Sequence, residues 1–148
     1  MTPPSASVRS PQVPVAMLDT EALRSKPMCV LVVDDAPVLR EAIAQLLTLE
    51  GGHTVHEAGT HLEAVALLDA VDAVATDGFF PYSAGEATGP WGLALARLAR
   101  ARGKPVILVS ADADLVEQAH WEGIRALSKP AGILQLVAAL AEARVSHS

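Results

Sequence analysis

Aromatic side chains are scarce: two Trp, two Phe and one Tyr make up 3% of the 148 residues. A core with so few rings has to be filled by Leu, Val, Ile and Ala, which carry the apolar content to 51%. Cysteine is scarcer still. Cys29 stands alone inside an apolar run, so no disulfide can form within the chain, and the residue reads as a buried thiol. No apolar run approaches the roughly 20 residues that a membrane span needs. The N-terminus lacks the basic-then-apolar order of a secretory signal, so a cytoplasmic location is the default. Basic residues are outnumbered, 11 against 17 acidic, and the net charge of −6 argues against a nucleic-acid surface.

What is present is organised. Residues 1–27 hold five of the ten prolines with Ser and Thr between them, a composition expected of a flexible tail, although 15–24 could form a short helix. From residue 28 the pattern changes. Cys29 to Val33 is continuously apolar, as in a parallel strand covered on both faces. Pro37 suits the first turn of a helix in which Leu39, Ile43, Leu46, Leu47 and Glu50 recur at helical spacing, and Gly51-Gly52 ends it. Thr54 to Glu57 is a short strand. Thr60 and Glu63 form a capping-box pattern at the start of a second helix that runs to Leu68. Ala73 to Thr76 is a third strand. A long loop punctuated by Gly78, Pro81, Gly85, Gly89 and Pro90 leads to a helix from Trp91 to Arg102. Pro105 to Val109 is a fourth strand, 113–121 a short helix, Ile124 to Ser128 a fifth strand, and Ala131 to Arg144 a last helix. Five strand–helix units in sequence imply an α/β fold: a five-stranded parallel sheet, doubly wound, with helices on both faces.

In such sheets the functional edge is the one formed by the carboxyl ends of the strands. The first strand delivers Asp34 and Asp35 there, the third Asp77, the fourth Ser110 and the fifth Lys129. Each alone has a dull explanation, a solvated turn or a surface lysine. Together they place three carboxylates, a hydroxyl and an ammonium on one edge. Three clustered carboxylates repel one another unless a hard divalent cation such as Mg²⁺ joins them. Cation and lysine would then make a pocket for a phosphoryl group, with a carboxylate placed to attack phosphorus and form an acyl phosphate. The five histidines, His53, His56, His61, His120 and His147, show no metal-ligand spacing with Cys29. Trp91 and Trp121 read as packing residues.

With these residues on the page, the chain from 28 to 145 resembles the receiver domain of two-component response regulators, with 146–148 as a short C-terminal tail. The matching pieces are the apolar strand into Asp34-Asp35, Asp77 with Pro81 four residues on, Ser110-Ala111, and Lys129-Pro130. The resemblance implies a flavodoxin-like sheet of order 2-1-3-4-5. It implies Asp77 as phosphoacceptor, Asp34, Asp35, Asp77 and the Phe79 carbonyl as Mg²⁺ ligands, Ser110 and Lys129 as phosphate contacts, and a cis peptide before Pro130. It also implies a histidine kinase or phosphotransfer protein as donor, a downstream protein as target, and a signalling domain rather than an enzyme, with homodimerisation left open. Neither a nucleic acid nor a membrane is expected as a direct partner. With no output domain after the last helix, the expectation is a stand-alone receiver.

The sequence departs from the family pattern in three places. Residues Tyr82 to Pro90 look like an insertion beside the acceptor, a lid, a docking element or a neutral loop. Ala126 occupies the position, three residues before the lysine, where the family usually has a switching aromatic. Only 18 residues separate Ser110 from Lys129, so the fourth helix should be short. The alternative reading is therefore a receiver-fold binding module whose phosphorylation switch is lost or altered. A phosphatase of the haloacid-dehalogenase type is disfavoured, because Asp34 and Asp35 are adjacent rather than two apart. Phe79, two residues after the acceptor, could screen water, which predicts slow self-dephosphorylation.

Overall fold

A computed structural model of the chain describes residues 27–130, 135–140 and 142. The expected tail helix at 15–24 and most of the last helix beyond 140 lie outside the described residues. The main sheet holds β1 (Cys29–Val33), β2 (Thr54–Ala58), β3 (Ala73–Asp77), β6 (Val106–Ser110) and β7 (Arg125–Ser128). These five are parallel and run in the order β2-β1-β3-β6-β7, which is 2-1-3-4-5 counted over the long strands. Between them come α1 (Pro37–Gly51), α2 (His61–Leu67) with a 3₁₀ turn at Leu68–Ala70, α3 (Trp91–Ala101) and α4 (Ala113–Trp121). Residues 135–140 are helical and are called α5.

The side-chain period of two on each strand divides the core. Leu31, Val33, Val74, Val106 and Leu108 face one way and pack with Leu68, Leu95, Leu115 and Ala119 from α2, α3 and α4. Val30, Val32, Ala73, Ala75 and Ile107 face the other way and pack with Leu47 of α1 and Leu136, Val137 and Leu140 of α5. Both faces of the sheet are covered, which is why β1 is apolar without alternation. Each fully buried Leu or Ile here contributes about 1.5–3 kcal/mol of transfer free energy.

Four local expectations change. The stretch 78–90 is not a plain loop. Phe80–Pro81 (β4) pairs antiparallel with Thr88–Gly89 (β5), and Phe80 is fully buried among the core residues. Leu39 and Leu46 of α1 are partly exposed rather than packed, because they line a cavity of about 690 Å³ together with Ile43, Val109 and Leu136. Trp121 is not a packing residue: as the last residue of α4 it points outward and is 83% exposed. Cys29, expected to be buried, is half-buried, and burial raises its thiol pKa.

Candidate functional site

The strand register brings the five chemistry-bearing residues to one edge. Val33 pairs with Thr76, Asp77 with Val109, and Ser110 with Ser128, so residues 34, 77, 110 and 129 end their strands at similar height. Asp34, Asp35 and Asp77 each place a carboxylate oxygen within 4.8 Å of the others. Asp34 is the buried member, only 4% exposed. Its Oδ1 accepts the Ala36 N–H at 2.9 Å, which folds the turn into α1. Desolvation raises the Asp34 pKa above the usual carboxylate range, and the Asp77 and Asp35 charges push it further the same way. The Ala36 N–H and the Lys129 ammonium act against that shift.

Asp77 is half-buried. Its Oδ1 accepts both the Gly78 N–H at 2.8 Å and the Lys129 ammonium at 3.1 Å. Among the described residues no hydrogen bond falls on its Oδ2, so one oxygen is held and the other is not. Lys129 reaches it from the end of β7, and the Lys129-Pro130 peptide is cis. The Lys129 N–H donates to the Ser110 carbonyl at 3.0 Å, tying the ends of β6 and β7 together. Ser110 is 2% exposed, and its Oγ accepts the Asp112 N–H at 3.1 Å. Asp112 in turn caps α4 by accepting the Leu115 N–H at 3.0 Å. The 690 Å³ cavity opens beside this edge, with Asp34, Asp77 and Lys129 on its wall.

The loop after Asp77 is packed tightly from behind. A Cβ on Gly92, the second residue of α3, would fall on the Asp77 carbonyl oxygen and within 2.7 Å of Gly78 Cα. The Gly92 N–H donates to the Gly78 carbonyl at 3.1 Å, so the helix start and the loop after Asp77 are in direct backbone contact. Beyond the loop, Tyr82, Trp91 and His61 form an aromatic group with ring centroids 4.7–5.5 Å apart. The Leu62 N–H donates to the Tyr82 carbonyl at 3.0 Å. The hairpin after Asp77 is thus pinned to α2 and α3. Phe79 is partly exposed at the rim. Ala126 is buried on β7, and its carbonyl lies 3.2 Å from His120 Nε2.

One residue near this edge escaped the sequence reading. Arg40 lies one turn into α1. Its Nε donates to Glu57 of β2 at 3.0 Å and its NH1 to the Asp34 carbonyl at 2.9 Å. The only sequence signal was an arginine on the first turn of the helix that follows the acidic pair, opposite an acidic residue on the neighbouring edge strand.

No family model and no curated protein matches the chain. Solved structures do. A response regulator receiver domain protein from Clostridium thermocellum aligns at a TM-score of 0.67 and 24% identity, covering 80% of this chain and 94% of that one. The signal receiver domain of the putative response regulator NarL from Mycobacterium tuberculosis aligns at 0.64 and 29% identity, covering 80% and 98%. The receiver domain of an HD domain-containing protein from Pseudomonas fluorescens Pf-5 aligns at 0.65 and 29%, covering 82% and 98%. The chain has the fold of a receiver domain. In this fold the acidic cluster and Lys129 occupy the carboxyl edge where doubly wound sheets place their ligands. Among the described residues no helix is long and apolar enough to cross a membrane.

Proposed function

We propose that this receiver domain is a phosphoacceptor in two-component signalling, with Asp77 as the acceptor. The observation that carries the reading is a half-buried carboxylate held on one oxygen by a lysine, next to two further carboxylates within 4.8 Å. This donor set suits a hard, oxygen-liganded cation, since three clustered carboxylates need positive charge between them. Asp34, Asp35, Asp77 and the Phe79 carbonyl would hold Mg²⁺, which supplies charge to neutralise the oxygens of an incoming phosphoryl group.

The chain's own residues do the rest. Asp77 Oδ2 attacks phosphorus in line with the P–N bond of a phosphohistidine on a histidine kinase or phosphotransfer protein. The new P–O bond forms as the P–N bond breaks, and the imidazole leaves with the bonding pair and takes a proton from solvent. Lys129, already on Asp77, moves its hydrogen bond to a phosphoryl oxygen. The Ser110 hydroxyl turns to donate to another, and the loop after β6 follows it. The product is a signalling state read by a downstream protein, so the domain acts as a switch rather than an enzyme with turnover.

Incubation with Mg²⁺ and a small acyl phosphate, or with a beryllofluoride analogue, tests the assignment. Wild type is expected to take up one equivalent and Asp77→Asn none. Equal labelling of the two proteins would reject it.

A second reading rests on Ala126. With a methyl group at the position of the usual aromatic, no ring can swing between surface and core. The domain could then bind its partner independently of phosphate. Equal partner affinity for wild type and Asp77→Asn, with and without donor, would favour that reading.

A further inference from the structure

The residue that best explains how the acidic pair keeps its geometry is Arg40. Asp35 is exposed, and its own side chain is not what holds it in place. It is placed by the two peptides that flank it. The peptide after it is held through the Ala36 N–H, which donates to Asp34 Oδ1 at 2.9 Å. The peptide before it is held through the Asp34 carbonyl, which accepts from Arg40 NH1 at 2.9 Å. The guanidinium cannot drift, because its Nε is paired with Glu57 at 3.0 Å and its own backbone N–H is bonded to the Ala36 carbonyl at 2.9 Å. One planar group thus ties β2, the β1–α1 turn and α1 into a single bracket behind the carboxylates. A surface ion pair of this kind adds little to stability by itself. Its fork geometry can nonetheless fix direction, which a lysine's point charge does poorly.

We infer that Arg40 is a positioning residue for the acidic cluster: by holding the peptide between Asp34 and Asp35 it sets where Asp35 presents its carboxylate to a divalent cation. This rests on the phosphoacceptor reading for its purpose, although the bracket itself is independent of that reading. Partners that orient ligands from behind commonly change metal affinity by about 10–100-fold when removed.

The test uses the full chain, Mg²⁺ as probe and four variants. Arg40→Met removes both bonds, and Arg40→Lys restores charge without the fork. Glu57→Gln weakens the anchor. Gly59→Ala leaves Arg40 in place but builds a Cβ 2.9 Å from its NH1, which pushes the guanidinium off the carbonyl. Calorimetric titration should show Mg²⁺ affinity about tenfold weaker in Arg40→Met, partly restored in Arg40→Lys, and weakened in Gly59→Ala. The Mg²⁺ concentration for half-maximal labelling should rise in step, with the maximal rate at saturating Mg²⁺ within about twofold of wild type. In the metal-free protein the Asp35 amide should exchange faster and show a lower heteronuclear NOE in Arg40→Met and Gly59→Ala. Unchanged Mg²⁺ affinity in both of these variants, with wild type binding, would overturn the inference. Failure of wild type to bind Mg²⁺ would instead overturn the phosphoacceptor reading, and the Asp35 amide would still decide whether Arg40 positions that residue. Should Arg40→Met fail to fold, Gly59→Ala and Glu57→Gln carry the same comparison.

Discussion

Asp34→Asn should make the receiver domain more stable without Mg²⁺ and less stable with it. Asp34 is buried, and its carboxylate oxygen lies within 4.8 Å of one from Asp35 and one from Asp77. At an effective dielectric of about 20, two unit charges 4.8 Å apart repel by about 3.5 kcal/mol. Asp35 is open to solvent and Lys129 lies on Asp77, so we expect about 1–2 kcal/mol of that repulsion to survive. Asparagine keeps the Oδ1 that accepts the Ala36 N–H, so the turn into α1 has no reason to change. The folded-state pKa of Asp34 is raised above the ordinary aspartate value of 3.8. In the window between 3.8 and that raised value the folded state therefore binds more protons than the unfolded one, and stability falls as pH rises. The advantage of Asp34→Asn should be absent below 3.8, open across that window and stay constant above it. With Mg²⁺ at a hundredfold its dissociation constant, wild type gains about 2.7 kcal/mol that the variant cannot fully match. The assay is urea denaturation in EDTA and in Mg²⁺ across this pH range. A variant no more stable than wild type in EDTA at neutral pH would refute the argument from clustered charge.

Other perturbations follow from burial and packing. Phe80→Ala empties a fully buried ring site in the inserted hairpin and should cost about 3–5 kcal/mol in urea unfolding; a loss under 1 kcal/mol would mean that the hairpin is not part of the core. Trp121→Ala should change stability by less than about 0.5 kcal/mol, since the ring is 83% exposed, and a larger loss by thermal melting would contradict that exposure. Among the described residues the buried Nδ1 of His61 has no hydrogen-bond partner, and burial lowers the ring's pKa from 6.5. The unfolded state then binds more protons than the folded one just below pH 6.5, so stability should fall as pH drops through that window. A His61→Phe variant should lose this acid sensitivity in urea midpoints, and identical pH profiles for the two proteins would count against it.

The alternation of elements and the chemistry of the strand ends were legible because both follow from short-range rules. Five apolar strands with helix signals between them admit few topologies once crossovers are right-handed. That topology alone puts Asp34, Asp77, Ser110 and Lys129 on one edge. The hairpin at Phe80–Gly89 was not legible. Two-residue strands leave no period to read, and Pro81 and Gly89 both argue against a ladder. What holds the hairpin is tertiary: Phe80 in the core, and Tyr82 against His61 and Trp91. The exposure of Trp121 was missed for a related reason. The helical spacing of α4 buries Leu115, Val116 and Ala119, and a residue two positions past the last of these falls on the opposite face. Arg40 escaped because its partners are the carbonyl of residue 34 and a carboxylate on the edge strand, contacts that only the folded register creates.

On the phosphoacceptor reading, Ala126 offers no ring through which a signal could leave the site. A methyl on β7 has no rotamer to switch, and its position is already buried. One hydrogen-bonded route runs through Ser110. Its hydroxyl now holds the Asp112 N–H, and Asp112 holds the N-terminus of α4 through Leu115. If the hydroxyl turns to a phosphoryl oxygen, its oxygen keeps the Asp112 N–H only if residue 112 moves with it. The end of β6 and the first turn of α4 therefore move as one unit or not at all. Leu115 adds a steric link, since a Cβ at Gly78 would meet its Cδ2 at 2.5 Å and the Ser110 Oγ at 2.8 Å. The loop after the acceptor, the hydroxyl and the start of α4 are thus in mutual contact, and displacement of one is felt by the other two without any aromatic in between.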